Sequence, residues 1–249
     1  MIPLIFWRKK KEEKKKRKKS RMFEVRGKRV PTWNPVVGCY HQCVYCWARD
    51  MAKRQLHRCV KCYNFVPHLH IERLDKVPKS DLPIFVCDMG DLFGYWVKRK
   101  WIEIVLEVIE LNEDKEFLLL TKNPSRYLEF DFPDNVILGA TIETDLDFLY
   151  EGLRISLAPL PSKRIKAMIQ LSHPKKMIAI EPILKFSSEF HLKIKEIKPN
   201  FVYVGYCNPK WKAEKLKLPE PSLGETMDLI MKLREFTEVR VKTLRENVW

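Results

Sequence analysis

From Pro31 onward the apolar positions follow two alternating periods. Short, near-continuous apolar runs occur at Thr32–Gly38, Ile84–Cys87, Glu116–Thr121, Val136–Ile142, Lys176–Glu181, Phe201–Tyr206 and Glu238–Leu244. Runs of this kind suit strands buried on both faces, as in a parallel sheet covered by helices. Between them the spacing becomes helical. Ile102, Val105, Leu106 and Ile109 share one face, with Glu103, Glu107 and Glu110 opposite. Ile165, Met168 and Ile169 repeat the pattern, as do Met227, Ile230 and Leu233. Ser222, with Glu225 three residues later, reads as a capping box opening the last of these helices.

Strand–helix alternation argues for βα units, whose right-handed crossovers build either an open doubly wound sheet or a barrel. No G-x-G-x-x-G or Walker pattern follows the first run, so a nucleotide-binding doubly wound fold loses its main support. The expected fold is α/β, a partial or complete TIM-like (β/α) barrel. Seven candidate strands leave an eighth unassigned. One barrel domain over residues 31–249 fits the length.

Charge separates off the first 30 residues. They hold 14 Lys or Arg against 3 acids, a net +11 of the chain's +15. The excess lies in one run, Arg8–Arg21, and not over the folded body. Such a block is expected to be a solvated, self-repelling tail, with nucleic acid as the partner it would attract. No apolar run approaches the ~20 residues of a membrane span, so no membrane partner and a cytoplasmic location are expected. Seven cysteines in such a chain point to metal or catalysis before disulfides.

Polar residues gather where the predicted strands end. Cys39 follows the first, Asp91 the second, Thr121, Lys122 and Asn123 the third, Thr141 and Glu143 the fourth, and Glu181 the fifth. In α/β barrels this rim carries the active site, although any one of these residues could instead be a helix cap.

Five of the cysteines fall between residues 39 and 62, and they can be grouped in two ways. Cys43-x2-Cys46 and Cys59-x2-Cys62 make two knuckles for an all-thiolate zinc ribbon, which would suit a nucleic-acid-binding protein on a barrel scaffold. That grouping leaves Cys39 unused. The alternative takes Cys39, Cys43 and Cys46 as one set, three thiolates on one loop that hold three corners of an iron–sulfur cluster and leave a fourth iron open. Cys59 and Cys62 then form a possible second metal site with nearby histidines, drawn from His57, His68 and His70.

The C-x3-C-x2-C loop, with the aromatic Tyr45 before its last cysteine, resembles the radical S-adenosylmethionine superfamily. The segments WNPVVGC, VCDMGDLFG, LLTKNP, LGATIET, AIEPIL and VYVGY narrow the resemblance to a phage- and archaea-associated branch of unknown function, over Pro31 to Arg245. It implies a [4Fe–4S] cluster on Cys39, Cys43 and Cys46 and an S-adenosylmethionine cofactor cleaved by one-electron reduction, with a separate reductant and an unidentified substrate. Met89-Gly90-Asp91 stands where the superfamily has Gly-Gly-Glu, so Gly90 and Asp91 are expected at the methionine amine. Tyr45 is expected near the adenine, Thr141 and Glu143 at the ribose or carboxylate, and Glu181, on the next rim position, as a further cofactor-binding candidate.

Overall fold

The computed structural model describes residues 23–245 apart from Arg26. The chain divides into two units, Met1–Val30 and Pro31–Trp249. In the first, the described part is an antiparallel hairpin of β1 (Glu24–Val25) and β2 (Lys28–Arg29). The expected basic tail, Arg8–Arg21, lies outside the described residues.

The second unit is built on one seven-stranded parallel sheet. Its strands correspond to the seven apolar runs. The first run is split. β3 (Thr32–Trp33) belongs to the sheet, whereas β4 (Val36–Val37) leaves it to pair antiparallel with β5 (His68–Leu69). Asn34 and Pro35 explain the break. The Asn34 amide donates to the Asp88 carboxylate at 2.6 Å while its oxygen accepts from the Met89 amide at 3.0 Å. Pro35 has no N–H for a ladder.

The remaining strands are β6 (Ile84–Val86), β7 (Phe117–Thr121), β8 (Val136–Thr141), β9 (Lys176–Ile180), β10 (Phe201–Val204) and β11 (Glu238–Val241). Every residue of β6, β8, β9 and β10 is buried, as the near-continuous apolar runs predict. The order is β3-β6-β7-β8-β9-β10-β11, the order of the chain itself. A doubly wound sheet reverses its strand order at a switch point; this one never does, which is the winding of a βα barrel. With β3 and β11 as edges, the barrel is partial.

The helix Arg99–Glu110 buries the four residues its spacing names: Ile102, Val105, Leu106 and Ile109. The Ser222–Glu225 capping box forms in both directions at the start of Leu223–Arg234. Two positions depart from the pattern. Ile169 and Met227 are exposed, and the buried stripes run through Arg164, Ile165 and Met168, and through Thr226, Leu229, Ile230 and Leu233. Among the described residues no helix is long and apolar enough to cross a membrane.

Candidate active site

Parallel strands put all their C-terminal ends on one side, so the polar residues that follow β6, β7, β8 and β9 share a rim. The cysteine loop reaches it through two glycines. Gly38 forms a parallel bridge with Gly90, and surrounding backbone crowds both positions. A Cβ on Gly90 would lie 3.0 Å from the Gly38 carbonyl oxygen, and one on Gly38 would lie 2.4 Å from the Val66 carbonyl carbon. Gly38 also has φ +97°, a region that favours glycine. The role observed for Gly90 is thus close backbone packing.

Beyond Gly38 the loop is clamped from both sides. The Cys39 amide donates to the Phe65 carbonyl at 3.2 Å, and the Leu157 amide donates to the His41 carbonyl at 2.7 Å. Cys39, Cys43 and Cys46 are all unpaired. The His41 amide points at the Cys39 sulfur at 3.4 Å, and the Arg49 amide at the Cys46 sulfur at 3.3 Å. Cys46 thereby caps the helix Trp47–Gln55. Burial pushes the Cys39 thiol well above its ordinary range, reinforced by negative Asp91 and by the thiols of Cys43 and Cys46. Burial likewise raises Cys46 against the pull of the Arg49 amide. Charged together, these thiolates require a cationic centre between them. The donor set suits a cluster.

Asp91 is buried and saturated. Its Oδ1 accepts from the Thr121 hydroxyl at 2.7 Å and the Phe93 amide at 3.0 Å; its Oδ2 accepts from the Lys122 amide at 2.9 Å and His41 Nε2 at 2.8 Å. A carboxylate offers about four lone-pair sites, and protein donors fill all four. Burial alone would raise this carboxyl, but His41 and the other donors hold it below the usual range. In this structure the Asp91 carboxylate braces the cysteine loop, through His41, against the end of β7.

Glu143, fully buried, anchors the second cluster of charges. Its Oε1 accepts from the Tyr45 hydroxyl and the Lys122 ammonium, and its Oε2 from Arg164 Nη1 at 2.7 Å. Lys122 also donates to the Tyr45 oxygen at 2.8 Å. Arg164 donates further to the Tyr150 hydroxyl, the Pro159 carbonyl and the Thr141 carbonyl. Burial would raise the Glu143 carboxyl, yet Lys122 and Arg164 hold it down at about 2. Burial works against the Lys122 ammonium too, and Glu143 more than compensates. One anion faces two cations, so the trio carries one positive charge in excess.

Of the rim residues expected from sequence, the structure joins Tyr45 to Glu143 and brings the Thr141 carbonyl to the same arginine. Glu181 stands apart in an ion pair with Lys242 at 2.6 Å. Sequence reasoning missed His41, Arg164 and Tyr150. For Arg164 a signal existed, because it lies on the buried stripe of its helix beside Ile165 and Met168, where an unpaired charge would be untenable. A cleft of about 490 Å³ opens beside the loop, walled by Tyr95, Ser125, Leu157, Lys163 and Arg164.

The architecture is a partial parallel α/β barrel with a three-cysteine loop at its C-terminal rim. The chain belongs to the family described as "Protein of unknown function (DUF5131)", which matches residues 29–211. Among solved structures, mutant forms of spore photoproduct lyase share the fold. One aligns with TM-score 0.57 and 9% identity over 91% of this chain and 81% of that one. Another, with bound AdoMet and dinucleoside spore photoproduct, aligns with TM-score 0.54 and 11% identity over 84% and 75%. No curated protein matches the chain in sequence.

Proposed function

We propose that this protein is a radical S-adenosylmethionine enzyme, with Cys39, Cys43 and Cys46 as the ligands of a [4Fe–4S] cluster. The observation that carries the reading is three unpaired thiols on one clamped loop at the C-terminal rim of a partial parallel barrel. A structure of the same fold binds AdoMet. Held by Cys39, Cys43 and Cys46, such a cluster would supply the electron for reductive cleavage of S-adenosylmethionine, itself reloaded by a separate reductant.

The chain's own residues prepare the site. The His41 and Arg49 amides donate to sulfur and stabilise thiolate charge. Lys122 spends two of its three N–H groups on Tyr45 and Glu143, and the excess positive charge of its cluster suits the cofactor's carboxylate. Tyr45, on the loop itself, donates to Glu143 and so ties the loop to that charge. The cleft walled by Tyr95 and Lys163 offers substrate an aromatic face and a cation. A nucleic-acid substrate, with phosphate affinity from Arg8–Arg21, is the first class to test.

The test is anaerobic reconstitution with iron and sulfide, followed by S-adenosylmethionine and dithionite. The expected protein is brown, holds about four irons per chain and releases 5′-deoxyadenosine. Cys39→Ala loses both iron and product. Colourless wild-type protein that yields no 5′-deoxyadenosine refutes the proposal.

A further inference from the structure

Outside the rim, a second group of metal-binding side chains converges. The donor atoms of Cys59, Cys62, His68 and His70 all lie within 4.8 Å of one another. Cys43 and Cys46 are not among them, so the four-cysteine ribbon weighed from the sequence is not assembled. His57 is also absent from the group, its ring bonded to the Arg54 carbonyl.

Local structure explains the convergence. Cys59 precedes the short helix Val60–Tyr63, and Cys62 follows three residues later within it, so both thiols turn to one side. His68 and His70 are two apart on the β5 strand and its continuation, which puts them on one face. Leu69 between them packs against the main core. The strand period settles what the spacing from Cys62 to His68 leaves open.

Two of three sulfur–nitrogen distances equal a tetrahedral edge and the third is shorter. His68 Nε2 lies 3.5 Å from both sulfurs, and His70 Nε2 lies 3.1 Å from the Cys62 sulfur. Bonds of about 2.3 Å to sulfur and about 2.05 Å to nitrogen put tetrahedral S···N edges at about 3.5 Å.

The protons are arranged to match. His68 Nδ1 lies 2.7 Å from the Val66 carbonyl, which only accepts, so Nδ1 carries the hydrogen and Nε2 presents its lone pair to the thiols. His70 Nδ1 donates to the Glu72 carboxylate at 2.6 Å, again leaving Nε2 free. A carbonyl or carboxylate behind each ring is how ligating histidines are oriented.

We propose that Cys59, Cys62, His68 and His70 bind one structural zinc ion, separate from the cluster of Cys39, Cys43 and Cys46. Two thiolates and two neutral imidazoles balance the ion's charge, and four protein ligands leave no open position for catalysis. The ion fastens the helix Val60–Tyr63 to β5. The turn between them supplies the Phe65 carbonyl that accepts from the Cys39 amide and the Val66 backbone against which Gly38 packs. Zinc thus supports the floor of the cysteine loop without taking part in its chemistry.

Metal analysis of the full chain, purified without added metal and dialysed, tests this. The expected content is about one zinc per chain, retained in Cys39→Ala, which removes iron alone. Cys62→Ser loses the zinc. Because that variant could unfold, cobalt(II) titration of zinc-stripped wild-type protein provides a second reading and should give the intense visible bands of a tetrahedral thiolate site. Glu72→Gln changes an exposed residue and should weaken cobalt binding by about 10-fold. Wild-type protein with no zinc and no cobalt bands overturns the proposal. So does zinc that persists in a Cys62→Ser, His70→Ala double variant. Zinc and iron are counted separately, so failure of the iron cluster leaves this result standing, and the reverse.

Discussion

Glu143→Gln probes the buried charge cluster most directly. The carboxylate is fully buried and faces the Lys122 ammonium and the Arg164 guanidinium. Glutamine keeps the volume but removes the charge, leaving two cations with no counter-ion and turning an N–H2 group toward N–H donors. Breaking a buried ion pair from one side costs about 3–5 kcal/mol. The carboxyl itself gives a second route to the magnitude. Held at about 2 instead of 4.5, its charged form is stabilised by about 3 kcal/mol in the folded state. The two routes agree, and a loss of that size lowers the melting temperature of a domain this long by about 10 °C.

The sign of the pH dependence follows from the depressed carboxyl. Glu143 contributes its stability fully above pH 4.5, and the contribution fades as pH falls toward about 2. Thermal and urea melts of wild type and variant, followed by circular dichroism from pH 7 down to pH 3, measure both effects. The gap between the proteins should narrow as the pH drops. Adding Lys122→Met to Glu143→Gln should restore part of the loss, because it removes one of the stranded cations. A loss under about 1 kcal/mol at pH 7, or a gap that does not change with pH, would refute the charge assignment.

Three further outcomes are expected. Gly38→Ala forces a side chain into φ +97° and to within 2.4 Å of the Val66 backbone, so it should cost about 3 kcal/mol or more in a chemical melt; iron uptake, measured alongside, should fall because Cys39 is the next residue. Asp91→Asn turns an amide N–H toward donors now satisfied by a carboxylate, so melts should show a loss of about 2 kcal/mol, with the wild-type advantage growing as pH rises through the ordinary carboxylate range, since Asp91 is held below it. Deleting residues 1–20 should leave iron content unchanged; if the basic run binds nucleic acid, binding measured by fluorescence anisotropy should fall steeply with salt in the full chain and disappear on deletion.

Much of the fold is legible in the sequence because burial on both faces leaves a one-dimensional mark. A central parallel strand buried on both faces is apolar at nearly every position, so β6, β8, β9 and β10 stand out as near-continuous runs. The helix Arg99–Glu110 shows its buried face at helical spacing for the same reason. The rim is legible too, since parallel strands carry the residues that follow them to one side. Strand order is not legible in the same way. Right-handed crossovers allow both a reversing sheet and a winding one, and only the pairing of β3 with β6 and onward to β11 decides between them.

The cysteines divide along the same line. Their spacing alone fits a four-thiolate ribbon or a three-thiolate loop, because sequence distance does not say which side chains meet. Folding separates them. Asn34 and Pro35 end β3, so β4 turns out of the sheet to meet β5, and strand alternation then delivers His68 and His70 to Cys59 and Cys62. Cys39, Cys43 and Cys46 are left together on the rim. Asp91 and Glu143 show the same limit in reverse. Their positions are readable from the ends of β6 and β8, but their roles depend on His41, Lys122 and Arg164 arriving from other elements. Sequence marks the strands, their ends and most of the apolar residues they bury; only tertiary structure decides which charges and thiols are brought within bonding distance.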